Sequence, residues 1–440
     1  MLTKFLIFLC AIALSTTFAY SDEILMGDWQ GTARTFEEET RFALHISGKP
    51  GELTASVSLP DIGVSSWPAR ELELRGDQLS MSLPSDSGLQ PISLKLIGDK
   101  MSGTWQDNAS SEPSRLELFH QQNTRQFAEH RLKISGDAGQ IGVSYFLPIE
   151  SPGLTLPDNP VPAVVLLHGS GAVPRDSNRF IAEAFARQGI AAIFFDKRGI
   201  AETEGDFDQI TFHQLADDAI VVARHFEQQA GIKAVGFWGH SQGGWIGPLA
   251  ASLWDKTAFV IMIAGPAVSP AREAEWAYIY QVKDLEDSAL FIPKLRAIVV
   301  AWHEGLRSEN WDEFKRLSSG AADTEWYEKS GVDHLRNDIQ NPFYESYRLY
   351  MDFDPAPLFA GLKKPLLAIF SPDDESIDSA ESVMVLDTFR QQGKDITIVQ
   401  YPGYSHSMRK ISHGGKTLRF PNYPGDYFDQ QAQFIKRASE

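Results

Sequence analysis

Apolar and polar positions follow two different rhythms along the chain. Between residues 23 and about 122 they alternate in short runs: Phe42 to Ile46, Leu53 to Leu59, Leu72 to Leu74, Leu79 to Leu83, Ile92 to Leu96 and Met101 to Trp105. Turn sequences separate successive runs, among them Gly48-Lys49-Pro50-Gly51, Arg75-Gly76-Asp77 and Gly98-Asp99. Alternation of this kind sends one face of a strand inward and the other to water, and short Gly/Asp turns join such strands as hairpins. No helical stretch intervenes, so residues 23–122 are expected to form an all-β domain, a sandwich or a small barrel. Gly27-Asp28-Trp29-Gln30-Gly31 stands at its start.

The rhythm changes near residue 126. Two strands are expected at about 130–135 and 141–147, followed by a Pro-rich stretch from Pro148 to Pro162. Strands and helices then alternate. The continuous apolar run Ala163–Leu167 reads as a buried central strand, and Ala191–Phe195, Val235–Trp238, Phe259–Ile263, Leu366–Phe370 and Ile396–Gln400 read as further strands. Helical periodicity is expected at 177–189, 210–228, Gly243–Leu253, 379–391 and 426–438. Such alternation predicts an α/β architecture, a doubly wound, mostly parallel sheet, over 126–440. From about 270 to 355 the strands stop and the chain turns helical and aromatic, with Trp276, Tyr278, Tyr280, Trp302, Trp311, Trp326, Tyr344, Tyr347 and Tyr350. This stretch is expected to be a helical cap inserted between two strands.

Composition narrows the picture. The 440 residues are 43% hydrophobic and 11% aromatic, which is ample for two cores. The formal net charge is −18 and no basic cluster exceeds a pair such as Lys363–Lys364, so nucleic acid is excluded as a partner. The first residues differ from the rest. Lys4 precedes the apolar run Phe5–Leu14, and Thr17-Phe18-Ala19 places small residues where signal peptidase reads. Residues 1–19 are therefore expected to be a cleaved signal peptide, with a bacterial periplasmic or secreted destination. The run is shorter than the roughly 20 residues of a spanning helix, and no later stretch reaches that length. Cys10 is the only cysteine, so the processed chain is expected to have no disulfide, thiol nucleophile or Cys-ligated zinc. No metal or cofactor site is implied.

The chemistry gathers at strand ends. Gly239-His240-Ser241-Gln242-Gly243-Gly244 lies between an apolar strand and a helix. A Gly-x-Ser-x-Gly turn in that setting lifts its serine above the sheet at a helix N-terminus, in a strained backbone that flanking glycines permit. Ser241 is thus the candidate nucleophile; the plainer alternative is a βα turn with a serine N-cap. A hydroxyl needs a base to take its proton. His406, in the loop after Ile396–Gln400, is the candidate, with His413 farther along in a Gly-rich segment. Asp374, in Ser371-Pro372-Asp373-Asp374-Glu375 after Leu366–Phe370, is the candidate acid. Asp373 and Glu375 are its alternatives, and the two not chosen are expected to be surface charges. His168-Gly169-Ser170-Gly171 follows another strand and lets the backbone approach a substrate carbonyl. The N–H groups of Ser170 and Gln242 are the candidate oxyanion donors, and His168 is read as bracing the loop.

These residues together resemble the α/β-hydrolase superfamily over about residues 126–440. His168-Gly169-Ser170-Gly171, Asp196-Lys197-Arg198-Gly199 and the Ser241 turn are similar to the bacterial branch grouping serine aminopeptidase-like (S33) and esterase-type hydrolases. Two departures stand out: Ile200-Ala201-Glu202-Thr203 follows Gly199 where a small residue and serine are usual, and Ser371 replaces a glycine. Asp196 and Arg198 are read as loop braces. The Gly27-x-Trp29 opening resembles that of lipocalin-like barrels, where the tryptophan is structural. The resemblance implies a serine hydrolase acting on small-molecule esters or short acyl substrates, with a cap that shapes an apolar pocket. A serine aminopeptidase is the alternative, because the cap carries Glu273, Glu275, Asp284, Glu286 and Asp287 as candidate ammonium holders. A non-catalytic binding protein on the same fold is the alternative from another class.

Overall fold

The computed structural model describes residues 25–49, 51–85, 88–106, 112–121, 127–149, 159–336, 342–412, 418 and 420–440. The expected signal peptide and His413 lie outside these residues. The chain forms two compact units, Met1–Gln126 with Ser412–Tyr423, and Phe127–Ile411 with Pro424–Glu440.

The first unit is one antiparallel sheet of nine strands: β1 (Gly27–Arg34), β2 (Glu39–Lys49), β3 (Glu52–Leu59), β4 (Val64–Pro68), β5 (Arg70–Arg75), β6 (Gln78–Ser85), β7 (Gly88–Ile97), β8 (Lys100–Trp105) and β9 (Ser114–Gln121). Their order is β4-β3-β2-β1-β9-β8-β7-β6-β5. Strands β4 and β5 stand at opposite edges, yet Ala69 alone separates them in sequence. One residue can bridge two edges only if the sheet rolls up, as barrel sheets do. Its interior takes the inward set of each strand, including Trp29, Phe42, Leu44, Val57, Leu83, Met101 and Leu118. Trp29 is fully buried and its Nε1–H donates to the Leu25 carbonyl at 2.9 Å, a structural role.

Ser412–Tyr423 groups with the first unit although its neighbours in sequence lie in the second. Phe420 is buried in the barrel core and stacks on Trp105 with ring centroids 6.1 Å apart. The Phe420 N–H donates to the Glu38 carboxylate at 2.8 Å, and the Tyr423 N–H to the Asp61 carbonyl at 2.9 Å. A buried aromatic ring in the closed β core outweighs proximity along the chain.

The second unit holds an eight-stranded sheet: β10 (Phe127–Gly136), β11 (Gly139–Pro148), β12 (Val161–Leu167), β13 (Ala191–Phe195), β14 (Ile232–His240), β15 (Thr257–Ile263), β16 (Leu366–Phe370) and β17 (Ile396–Gln400). The order is β10-β11-β13-β12-β14-β15-β16-β17, with β12 to β17 parallel and β10 and β11 antiparallel. Successive residues of β14 face opposite ways. Phe237 packs in the core built with helices Phe212–Glu227 and Gly243–Leu253. Trp238 instead donates its Nε1–H to Gln431 of helix Tyr427–Ala438 at 2.7 Å. Helices therefore cover both faces, as expected for buried parallel strands. The first of them starts on a capping box, in which Thr211 Oγ1 accepts the Gln214 N–H and Gln214 Oε1 accepts the Thr211 N–H.

Between β15 and β16 the chain is helical: Pro270–Tyr280, Ser288–Ser308, Asp312–Ala321, Glu325–Lys329 and Pro342–Arg348. Ser269 caps the first of these by accepting the Arg272 N–H at 3.3 Å, with Pro270 at the first helical position. Most of the cap aromatics serve packing. Trp302 and Trp311 are buried, Phe291 stacks on Trp326, and Tyr350 stacks on Phe212 of the underlying helix. No helix among the described residues is long and apolar enough to cross a membrane.

Candidate active site

Parallel strands deliver their C-terminal ends to one side, and the loops that follow collect there. Register aligns Leu167 with Gly239, His240 with Ile263, Ile263 with Ile369, and Phe370 with Gln400. The loops after β12, β14, β16 and β17 carry Ser170, Ser241, Gln242, Asp374 and His406.

Ser241 follows β14 directly and has φ +54°, a left-handed backbone that a serine adopts only under constraint. Its N–H is held by the Ile263 carbonyl at 2.9 Å. The flanking glycines are required sterically. A Cβ on Gly239 would lie 2.0 Å from the Gly243 carbonyl oxygen, and one on Gly244 would lie 2.4 Å from the Gly265 Cα. The helix Gly243–Leu253 begins two residues after Ser241, so its N-terminal end faces the same region.

The His406 ring meets Asp374. Nδ1 lies 2.9 Å from Oδ2 and 3.1 Å from Oδ1. Asp374 is 1% exposed, and its Oδ1 also accepts the Ser376 N–H at 2.8 Å and the Ile377 N–H at 3.0 Å. A carboxylate so placed can only accept, so Nδ1 carries the ring proton and Nε2 is left as the acceptor. Among the described residues the Ser241 hydroxyl makes no hydrogen bond to this ring. The nearest link is His240, whose ring centroid is 4.9 Å from that of His406 and whose Nε2–H donates to the His406 carbonyl at 3.0 Å. Such contacts commonly close only when substrate is bound.

Asp373 and Glu375 are exposed at the surface, as expected, but each also holds a backbone N–H. Asp373 Oδ2 accepts the Gly403 N–H at 2.7 Å, and Glu375 Oε2 accepts the His406 N–H at 3.0 Å. All three consecutive carboxylates therefore grip the loop of His406: one holds the ring and two hold the backbone. Ser371, the departure from the family glycine, joins them. Its hydroxyl donates to the Tyr404 carbonyl at 2.5 Å and accepts the Asp373 N–H at 3.1 Å. Trp276 of the cap donates its Nε1–H to the Asp374 carbonyl at 3.3 Å.

On the opposite side lie the loops after β12 and β13. The N–H groups of Ser170 and Gln242 donate to no acceptor among the described residues. Gly169 closes on the serine, since a Cβ there would lie 3.4 Å from the Ser241 Cβ. His168 is buried, and burial together with the Lys197 charge pushes its imidazole down to about 3. Asp196 and Arg198 are engaged away from the serine, as expected of braces. Asp196 accepts the Arg175 N–H at 2.7 Å and pairs with its guanidinium at 2.5 Å, while Arg198 pairs with Asp218 at 2.6 Å. Sequence gives no role to Lys197 or His240. The one hint for Lys197 was its place two residues past the fully apolar strand β13.

Of the five cap carboxylates, Glu275 is neutralised by Arg272 and by Arg296 at 2.7 Å, and Asp284 pairs with Lys283 at 2.9 Å. Glu286 and Asp287 are exposed or peripheral on the linker before helix Ser288–Ser308. The Glu273 carboxylate makes no hydrogen bond or ion pair among the described residues. Burial, and then the Asp374 charge, push its carboxyl up to about 8. It therefore lies within electrostatic reach of the acid that holds His406.

Residues 158–410 match the family described as serine aminopeptidase, S33. An uncharacterized 31.7 kDa protein of the traX-finO intergenic region of Escherichia coli is 33% identical over 285 residues, 63% of this chain and 91% of that protein. The thiohydrolase aneE of Aspergillus aculeatus is 31% identical over 110 residues, 24% of this chain and 34% of that enzyme. The uncharacterized peptidase YuxL of Bacillus subtilis is 24% identical over 124 residues, and the match spans 17% of its length. Among solved structures, the carboxylesterase EstE1 from a metagenomic library is 15% identical with a TM-score of 0.45, covering 73% of this chain and 91% of that one. The proline iminopeptidase of Mycobacterium smegmatis is 15% identical with a TM-score of 0.44, covering 70% of this chain and 99% of that one. With more than half of its length matched and the fold in place, the chain belongs to the serine aminopeptidase (S33) family of α/β-hydrolases and is a hydrolase.

Proposed function

We propose that the protein is a serine hydrolase that cleaves carboxylic esters of small acyl substrates through an acyl-enzyme. The observation that carries this reading is the pairing of the His406 ring with buried Asp374 beside a left-handed Ser241. In this scheme Ser241 Oγ attacks the ester carbonyl and its proton passes to His406 Nε2. The charge on the carbonyl oxygen is met by the N–H groups of Ser170 and Gln242. The proton returns to the departing alcohol as the C–O bond breaks. Water then repeats the sequence on the acyl-serine and releases the acid.

A second reading is favoured by Glu273 alone. A carboxyl kept neutral by burial, with no partner, would ionise and pair with a substrate ammonium brought beside it. That arrangement suits an aminopeptidase. One panel separates the readings: wild type, Ser241→Ala and Glu273→Gln on p-nitrophenyl butyrate and on an amino-acid p-nitroanilide, with fluorophosphonate labelling. Ester turnover and labelling are expected in the wild type and lost at least ~10³-fold in Ser241→Ala, with Glu273→Gln near wild type on the ester. Turnover of the anilide alone, reduced by Glu273→Gln, supports the peptidase. Absence of Ser241-dependent labelling supports a non-catalytic binder.

Export belongs to the same proposal and is supported by Lys4 and the run Phe5–Leu14. The protein recovered outside the cytoplasm of an expressing bacterium is expected to begin at Tyr20. An intact Met1 in that fraction would exclude cleavage.

A further inference from the structure

Lys197 is a cation with almost no access to water. It is 3% exposed, and among the described residues no carboxylate bonds to it. A buried ammonium needs all three of its hydrogens satisfied. Nζ donates to the Gly169 carbonyl at 2.7 Å, the Gly171 carbonyl at 3.0 Å and the Gln242 side-chain Oε1 at 3.0 Å. These acceptors come from the two segments that carry the candidate oxyanion donors.

The geometry has a direct consequence at Ser170. The Gly169 carbonyl and the Ser170 N–H belong to one planar trans peptide, so they point in opposite directions. Drawing the carbonyl to Nζ aims the N–H away from Lys197. The cation also polarises that peptide and makes its N–H a stronger donor. The bond to Oε1 holds the residue that follows the nucleophile. An ordinary loop brace would use neutral or paired groups, as Asp196 with Arg175 and Arg198 with Asp218 do.

We propose that Lys197 is a positioning residue for acyl transfer, which orients and polarises the Ser170 peptide and tethers Gln242 so that both N–H groups meet the developing oxyanion. The proposal rests on Ser241 being the nucleophile. Burial lowers the Lys197 ammonium to about 8, so the clamp is expected to open when the medium turns alkaline. The titratable and charged groups around it are His168, which is held neutral, and Asp196 and Arg198, which are committed to their own partners. The Phe207 ring covers the ammonium at 5.8 Å.

The test is Lys197→Met in the full chain, assayed on p-nitrophenyl butyrate and titrated with an arylboronic acid, which forms a tetrahedral adduct on the serine. Loss of well-aimed oxyanion donors is expected to lower kcat by about 10–10²-fold, with KM moving far less and boronate affinity falling in parallel with kcat. The wild-type kcat is expected to decline above about pH 8, and the variant to lack that limb. Gln242→Ala, which keeps its backbone N–H, is expected to show a smaller loss and to cause no further loss in combination with Lys197→Met. A folded Lys197→Met protein with unchanged kcat and boronate affinity overturns the proposal. If that variant does not fold, a wild-type kcat that is flat from pH 7 to pH 9.5 overturns it instead. Failure of Ser241 labelling would sink the underlying reading. An unchanged Lys197→Met in an enzyme that labels sinks this proposal alone.

Discussion

Replacing Asp374 by asparagine is expected to reduce kcat on an aryl ester by about 10⁴-fold without unfolding the protein. The asparagine carbonyl can still accept the Ser376 and Ile377 N–H groups that Oδ1 accepts now. That anchoring turns the new NH2 toward His406 Nδ1, which must then be the acceptor. The ring proton moves to Nε2, and the nitrogen facing the substrate can no longer take a proton from serine. Asp373→Asn and Glu375→Gln are a different matter. Each holds a backbone N–H, of Gly403 and of His406, and an amide oxygen can keep that bond. A loss of about one charge-assisted hydrogen bond should cost roughly 10-fold or less. The three single variants, each assayed for kcat and thermal midpoint, check the assignment. A fall in Asp373→Asn or Glu375→Gln equal to that of Asp374→Asn would remove Asp374 from its role.

The second large effect is expected in stability at mildly acid pH. Burial is the leading cause that pushes His168 down to about 3 and His240 and His303 down to about 4. An unfolded histidine titrates near ~6.5. Each of the three is therefore neutral when folded and charged when unfolded between these values. Their contribution is complete above pH ~6.5 and is lost as the pH falls toward 4. Glu273, raised to about 8, acts in the opposite sense through this window, because its folded form keeps a proton that the unfolded form releases. The net of three histidines against one glutamate leaves up to two protons, or about 3 kcal/mol per pH unit at the steepest. That slope is large against the total stability of a typical domain. Urea midpoints measured from pH 7 to pH 5 are expected to fall accordingly. His303→Gln, which can keep a bond to the Tyr347 hydroxyl, should flatten the curve. A midpoint independent of pH over this range would rule the effect out.

The candidate site shows how far a linear sequence can be read. Ser241, His406 and the Asp373–Glu375 cluster were legible because each follows an apolar strand in the order this fold imposes. Several strands and helices were legible with their ends intact, such as Leu366–Phe370, Gly243–Leu253 and Ser379–Gln391, because their apolar periodicity stops at turn residues. Strands β4 and β9 were not singled out. β4 has no fully buried position, and β9 lies between two segments with little signal. Asp374 was named as the candidate acid from its distance past the strand, but the backbone bonds of Asp373 and Glu375 to Gly403 and His406 were hidden, since their partners lie about 30 residues away in sequence.

Sequence by itself determined the parts whose cause is local: the strand and helix periods, the elbow that only glycines permit, the helical cap, and the chemical types of the candidate nucleophile, base and acid. Tertiary structure decided what depends on a chain distant in sequence. It rolled nine strands into a barrel across Ala69. It drew Phe420 from the late segment into that barrel. It gave the surface carboxylates Asp373 and Glu375 the backbone of the His406 loop to hold. It also buried Lys197 against Gly169, Gly171 and Gln242. The reason is common to these cases. A polar or aromatic group takes its role from the partner that meets it once water is gone, and that partner is chosen by packing.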